Sequence, residues 1–180
     1  MKILLVVDGS SYSEMAAEML KTLQLPTKTE VTILTVVPEA TFLGGITFDA
    51  IRGGSQERKK AREEQRQKAA ELLQHMTQIL GESKFKIGTL VRWGNPAEVI
   101  LREAEGGNTS LIIVGAKGLT DALSFRLGSV ALKIMKYANA NVLLVKPKST
   151  PASKEPRKKV KQLPRVESCL LPMARNTQTL

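Results

Sequence analysis

Val114-Gly115-Ala116-Lys117-Gly118 and, after nine intervening residues, Gly128-Ser129-Val130 decide the reading of this 180-residue chain. Ile112, Ile113 and Val114 form a short β-branched run of the kind buried in a parallel sheet. Gly115 and Gly118 let the backbone turn sharply and come close to a ligand with no Cβ in the way. Gly128 and Ser129 then open the amphipathic run Val130-Ala131-Leu132-Lys133-Ile134-Met135-Lys136. The unpaired N–H groups of such a helix start favour anions, phosphate above all. Strand, glycine turn and helix start together predict a nucleotide site.

Outward from this stretch, strand and helix patterns alternate, which predicts a parallel α/β sheet. The first strand reads Ile3 to Asp8, the second Val31 to Val37, the third Phe85 to Arg92, the fourth Leu111 to Val114 and the fifth Val142 to Val145. Between them Ser10 or Ser11 caps a helix running to about Leu23, with Glu14 near its first turn. Its apolar positions Met15, Ala16, Met19, Leu20 and Leu23 recur at three and four, so they are expected to face the sheet. A long helix over about Ser55 to Leu80 begins highly charged, with Lys59–Glu63, Lys60–Glu64 and Glu64–Lys68 spaced as ion pairs, and becomes amphipathic from Ala69 onward. Asn95-Pro96-Ala97-Glu98 supplies an N-cap, a proline at the first helical position and an acid in the first turn. That helix stops at Gly106-Gly107, and the last helix spans about Gly128 to Ala138. The glycine-bearing segment 38–54, with Phe42, Leu43, Ile46 and Phe48, reads as a long loop of the sort used for lids or binding.

The glycine spacing lacks the G-K-[ST] ending of a Walker A loop and does not fit the dinucleotide pattern G-x-G-x-x-G. Written G-x-x-G-x9-G-S, it resembles the ATP-binding signature of the universal stress protein family, over roughly residues 1 to 147. The resemblance implies a single-domain five-stranded parallel sheet of order 3-2-1-4-5 with helices on both faces, adenine nucleotide alpha hydrolase-like. A ligand would then lie at the carboxyl ends of strands one and four, where the order switches. The resemblance also implies ATP as the ligand, with Mg²⁺ bridging its phosphates, and a homodimer joined through the edge strand Val142–Val145.

Asp8, at the end of strand one, reads as a carboxylate for a ribose or a divalent cation, or as a helix cap. The resemblance places it in the nucleotide site with the backbone of Val6 and Val7, and has Val36 meet adenine through its backbone. The N–H groups of Gly115, Gly118, Gly128, Ser129 and Val130 are the natural ligands for phosphate and ribose. The Ser129 hydroxyl reads as a phosphate contact, a helix N-cap or both; Lys117 reads as a phosphate partner or a solvated loop lysine. Arg126 reads as an exposed residue balancing Asp121. Ala116 stands where the family commonly has serine or threonine, and Ser110 where it frequently has aspartate.

Catalytic signals are thin. No H-E-x-x-H, paired cysteine or G-x-S-x-G is present, and the single histidine, His75, falls on the surface of the long helix. The expected role is a nucleotide-dependent regulatory or protective module in the stress response, in the cytoplasm, as a lone Cys169 suits a reducing compartment. A slow ATP-hydrolysing or nucleotidyl-transferring enzyme on the same fold is the first alternative. The second is an interaction protein using its basic tail on acidic partners. Of the net charge of +10, the segment 146–180 carries +7 and the remainder +3, so the basicity belongs to the tail. That segment, with Pro147, Pro151, Pro156, Pro164 and Pro172 and no apolar period, divides the chain into a domain over 1–147 and an extension over 148–180 expected to be disordered.

Overall fold

The computed structural model describes residues 1–38, 55–81, 85–119 and 127–147. The chain divides into two units, Met1–Lys148 and Ser149–Leu180, and the described residues all belong to the first. The expectations for segment 38–54 beyond Pro38, for Asp121 and Arg126, and for the basic tail lie outside the described residues.

The elements follow in the order β1 (Lys2–Val6), α1 (Ser11–Thr22), β2 (Glu30–Val37), α2 (Ser55–Leu80), β3 (Lys86–Trp93), α3 (Pro96–Gly106), β4 (Leu111–Gly115), α4 (Ser129–Tyr137) and β5 (Asn141–Val145). The five strands form one parallel sheet in the order β3-β2-β1-β4-β5. Successive side chains of a strand point to opposite faces, so the two alternating sets build two core layers. Ile3, Leu5, Val7, Val31, Ile33 and Ile113 pack with Ala16, Ala17 and Leu20 of α1 and Leu73, Met76 and Leu80 of α2. Leu4, Val6, Leu34, Ile112 and Val114 pack on the other face with Ile100 and Ala104 of α3 and Ile134 of α4. Central strands buried on both faces account for the unbroken apolar runs in β1 and β4.

Local chemistry sets the helix starts. Ser10 caps α1, its Oγ accepting the Ser13 N–H at 3.3 Å, and Asn95 caps α3, its Oδ1 accepting the Ala97 N–H at 3.2 Å. The buried stripe of α1 is Ser13, Ala16, Ala17 and Leu20. Met19 was expected to face the sheet but is 39% exposed, because it lies roughly 100° round the helix from Leu20. From Lys59 to Lys68 α2 is exposed, with Arg62 set over the Trp93 ring at 5.0 Å and Gln67 donating to Glu71 at 3.2 Å. Arg92 of β3 reaches Glu103 of α3 through both Nε, at 2.7 Å, and Nη2, at 3.3 Å. His75 is half-exposed on α2, with Nε2 3.5 Å from Glu14 Oε1 and no place in the cleft described next. Among the described residues, no helix is long and apolar enough to cross a membrane.

Candidate functional site

A cleft of about 280 Å³ opens at the carboxyl ends of β1 and β4, where the strand order reverses. The residues marked in the sequence converge on it: Val6, Val7 and Asp8 after β1, Val36 on β2, Gly115, Lys117 and Gly118 after β4, and Gly128, Ser129 and Val130 at the start of α4. Asp8 and Lys117 are the charged side chains among the described residues that line it.

Pairing ends β1 at Val6, opposite Leu34 and Val114, rather than at Asp8 as expected from the apolar run. One further bond, Val7 N–H to Leu34 O at 2.9 Å, holds the chain to β2 before it turns. Asp8 then makes the turn: Oδ1 accepts the Ser10 N–H at 3.0 Å, two residues on, which leads directly into the α1 cap. Its other oxygen, Oδ2, accepts the Leu119 N–H at 3.2 Å and so ties the glycine loop to β1. The carboxylate serves the turn and the loop together.

The four glycine-loop positions divide by role. A Cβ at Gly115 would lie 2.7 Å from Tyr12 Cβ and 2.9 Å from the Tyr12 backbone C and O, so α1 can sit this close only against glycine. A Cβ at Gly118 would lie 2.7 Å from Asp8 Oδ2. Gly128 is the N-cap of α4, and its own N–H is already taken by Ala116 O at 2.8 Å. That N–H is therefore not among the donors left open to the cleft. Ser129 is the first helical residue, so its hydroxyl does not cap the helix; no side chain does. The N–H groups of Ser129, Val130 and Ala131, in the first turn, have no acceptor within the helix and border the cleft.

At the opposite end the geometry of β2 matters. Leu34 O accepts the Val7 N–H, so the backbone groups of Leu34 point toward β1. Two residues further, the alternation turns the N–H and C=O of Val36 the same way, past the last pairing of β1 and into the cleft. Two interstrand spacings, roughly 10 Å, separate β2 from β4. The cleft is thus elongated, with uncompleted strand backbone at one end and helix N–H donors at the other.

Sequence reasoning missed several lining residues. Ser13 and Thr35 come from the α1 face of the sheet, Pro96 and Ile100 from the α3 side, and Pro38 and the exposed Leu119 also border the opening. For Thr35 the available signal was a polar residue in the buried alternation Val31, Ile33, Thr35.

Residues 1–146 match the universal stress protein family. The chain belongs to that family. A universal stress protein of Bacillus subtilis, YxiE, is 27% identical over 145 residues, spanning 81% of this chain and 98% of the relative. Universal stress protein MJ0577 of Methanocaldococcus jannaschii is 28% identical over 156 residues, 83% of this chain and 96% of its own. The solved MJ0577 structure superposes with a TM-score of 0.70, covering 83% of this chain and 97% of that one, at 26% identity. A universal stress protein family member from Arabidopsis thaliana, solved with AMP bound, shares the fold at a TM-score of 0.58 and 18% identity, covering 87% of this chain and 97% of its own. Within this universal stress protein Gly115, Gly118, Gly128 and Ser129 all border the cleft just described.

Proposed function

We propose that the cleft binds an adenine nucleotide, ATP with Mg²⁺, and that the protein acts as a nucleotide-dependent regulatory or protective module in the stress response. The observation that carries this reading is the two-ended cleft, with anion-favouring N–H groups of α4 at one end and the outward backbone of Val36 at the other. A hydrogen-bonding base and an anionic phosphate chain, joined by a sugar, complement such a site. The AMP carried by the Arabidopsis protein illustrates that a sheet of this topology accepts an adenine nucleotide. Gly118, Ser129 and Val130 would meet phosphate, Val36 would meet the base, and Asp8 with Val6 and Val7 would border the ribose. Among the described residues no group of three or more metal-ligating side chains exists, so the phosphates themselves would carry most of the Mg²⁺ coordination, with Asp8 as the one carboxylate at hand. Phosphoryl transfer depends on positioning and charge stabilisation. Asp8 and Lys117 are the charged side chains of the described lining, so at most slow ATP hydrolysis is expected. Mass spectrometry of ligand released from protein purified without added nucleotide tests the reading, and an adenine nucleotide is the expected finding.

The assembly we infer is a homodimer joined through β5, which among the described residues is an edge strand paired with β4 alone. We further infer a domain over 1–147, in the cytoplasm, with 148–180 as a basic extension. A second reading, favoured by the +7 charge of 146–180, gives that extension an acidic partner of its own.

A further inference from the structure

Four polar side chains are buried among the described residues: Ser10, Ser13, Thr29 and Thr35. Three are satisfied close by. Ser10 Oγ accepts the Ser13 N–H, Ser13 Oγ donates to Ser10 O at 2.8 Å, and Thr29 Oγ1 donates to Pro26 O at 2.7 Å. Thr35 is 5% exposed, and among the described residues its hydroxyl has no hydrogen-bond partner. A buried hydroxyl left unpaired is destabilising, because it loses its water partners and gains none. The position is otherwise built for an apolar β-branched residue, since Val31 and Ile33 precede it on the same face of β2.

Thr35 nevertheless lines the cleft, next to Val36 on β2, two strands away from β4, which leads to α4. We propose that Thr35 is a recognition residue whose hydroxyl hydrogen-bonds the base edge of the bound nucleotide, beside the backbone of Val36. This rests on the nucleotide reading above and names the side chain that completes it. A hydroxyl both donates and accepts, so it pairs with a ring nitrogen or an exocyclic amine. Among the described residues nothing satisfies the group, and the ligand would do so.

Such a residue has a signature that a structural threonine lacks: removing the hydroxyl helps the empty protein and harms the complex. Thr35→Val keeps the branched shape, and Thr35→Ser keeps the hydroxyl. Calorimetric titration of wild type and both variants with AMP and ATP, with ligand-free Tm for each, is the experiment. Thr35→Val is expected to bind about tenfold more weakly, with a ligand-free Tm equal to or above wild type, while Thr35→Ser stays near wild-type affinity. The loss should be the same for AMP and ATP, because the contact lies away from the phosphates. Equal affinity of Thr35→Val and wild type would overturn the assignment with the nucleotide site intact. A lowered ligand-free Tm in Thr35→Val would make the hydroxyl structural and overturn it as well. Wild type that binds neither nucleotide would overturn the nucleotide reading itself and this assignment with it.

Discussion

The carboxylate of Asp8 leaves no room for a side chain at Gly118: a Cβ on residue 118 would lie 2.7 Å from Asp8 Oδ2, the oxygen that accepts the Leu119 N–H at 3.2 Å. The two residues are far apart in sequence, and the bond to Leu119 closes the loop after β4 onto the end of β1. Any side chain at 118 must displace the carboxylate, and with it the loop.

Gly118→Val should therefore abolish measurable nucleotide binding while leaving the sheet folded. The side chain displaces Asp8 Oδ2 and fills the backbone's approach to the ligand. Titration calorimetry checks the affinity and far-UV circular dichroism the fold; wild-type affinity in the variant would remove the glycine loop from the site.

Asp8→Ala is expected to weaken nucleotide binding by about 1–3 kcal/mol, the range for a lost hydrogen bond to a charged group. Ligand-free stability should fall by a smaller amount, as the Ser10 and Leu119 N–H groups lose an acceptor at partly exposed positions. Because both residues act through one contact, the Asp8→Ala/Gly118→Ala pair should lose less affinity than the sum of the singles, with coupling of about 0.5–3 kcal/mol. Additive losses would show that they act separately.

Gly115→Ala should behave differently from the changes at 118. Its Cβ would meet backbone atoms of Tyr12 at 2.9 Å, so α1 itself must shift from β4. We expect a loss of about 1–3 kcal/mol in urea unfolding, typical of overpacking at a buried contact. A stability within about 0.5 kcal/mol of wild type would mean that the helix yields freely there.

Val142→Pro tests the dimer. Asn141 N–H donates to Ser110 O at 3.3 Å, and Val145 O accepts from Ala116 at 2.8 Å, so the odd residues of β5 face β4. The N–H groups of Val142 and Leu144 consequently point away from the sheet. Proline at 142 removes one of them without breaking the β4 ladder, a substitution edge strands tolerate. Sedimentation should show a dimer for wild type and a folded monomer for the variant. A variant that remains dimeric would move the interface off β5.

A chain ending at Pro147 should keep the fold and the wild-type affinity for ATP, since every described element ends by Val145. Contacts made by the extension should appear only in the full chain and weaken as salt rises, exposed charges being screened beyond about 8 Å at physiological ionic strength. Reduced ATP affinity in the shortened chain would bring the extension into the site.

The sequence by itself determined the element order and the helix starts. Ser10 and Asn95 cap through bonds spanning two or three residues, and apolar runs separated by turn residues mark strands without reference to partners. It also marked the residues that meet at the cleft, because glycine spacing after a buried strand is a local signal. The tertiary structure decided what each of them does there. That Gly115 answers to Tyr12, that the Gly128 N–H is spent on Ala116 O, and that Asp8 holds the Leu119 N–H depend on elements brought together across the sheet. The end of β1 at Val6 and the burial of Thr35 likewise follow from which strands lie alongside. Hydrogen bonds within a turn are set by neighbours in the chain, whereas close approach and burial are set by neighbours in space, and only packing chooses those.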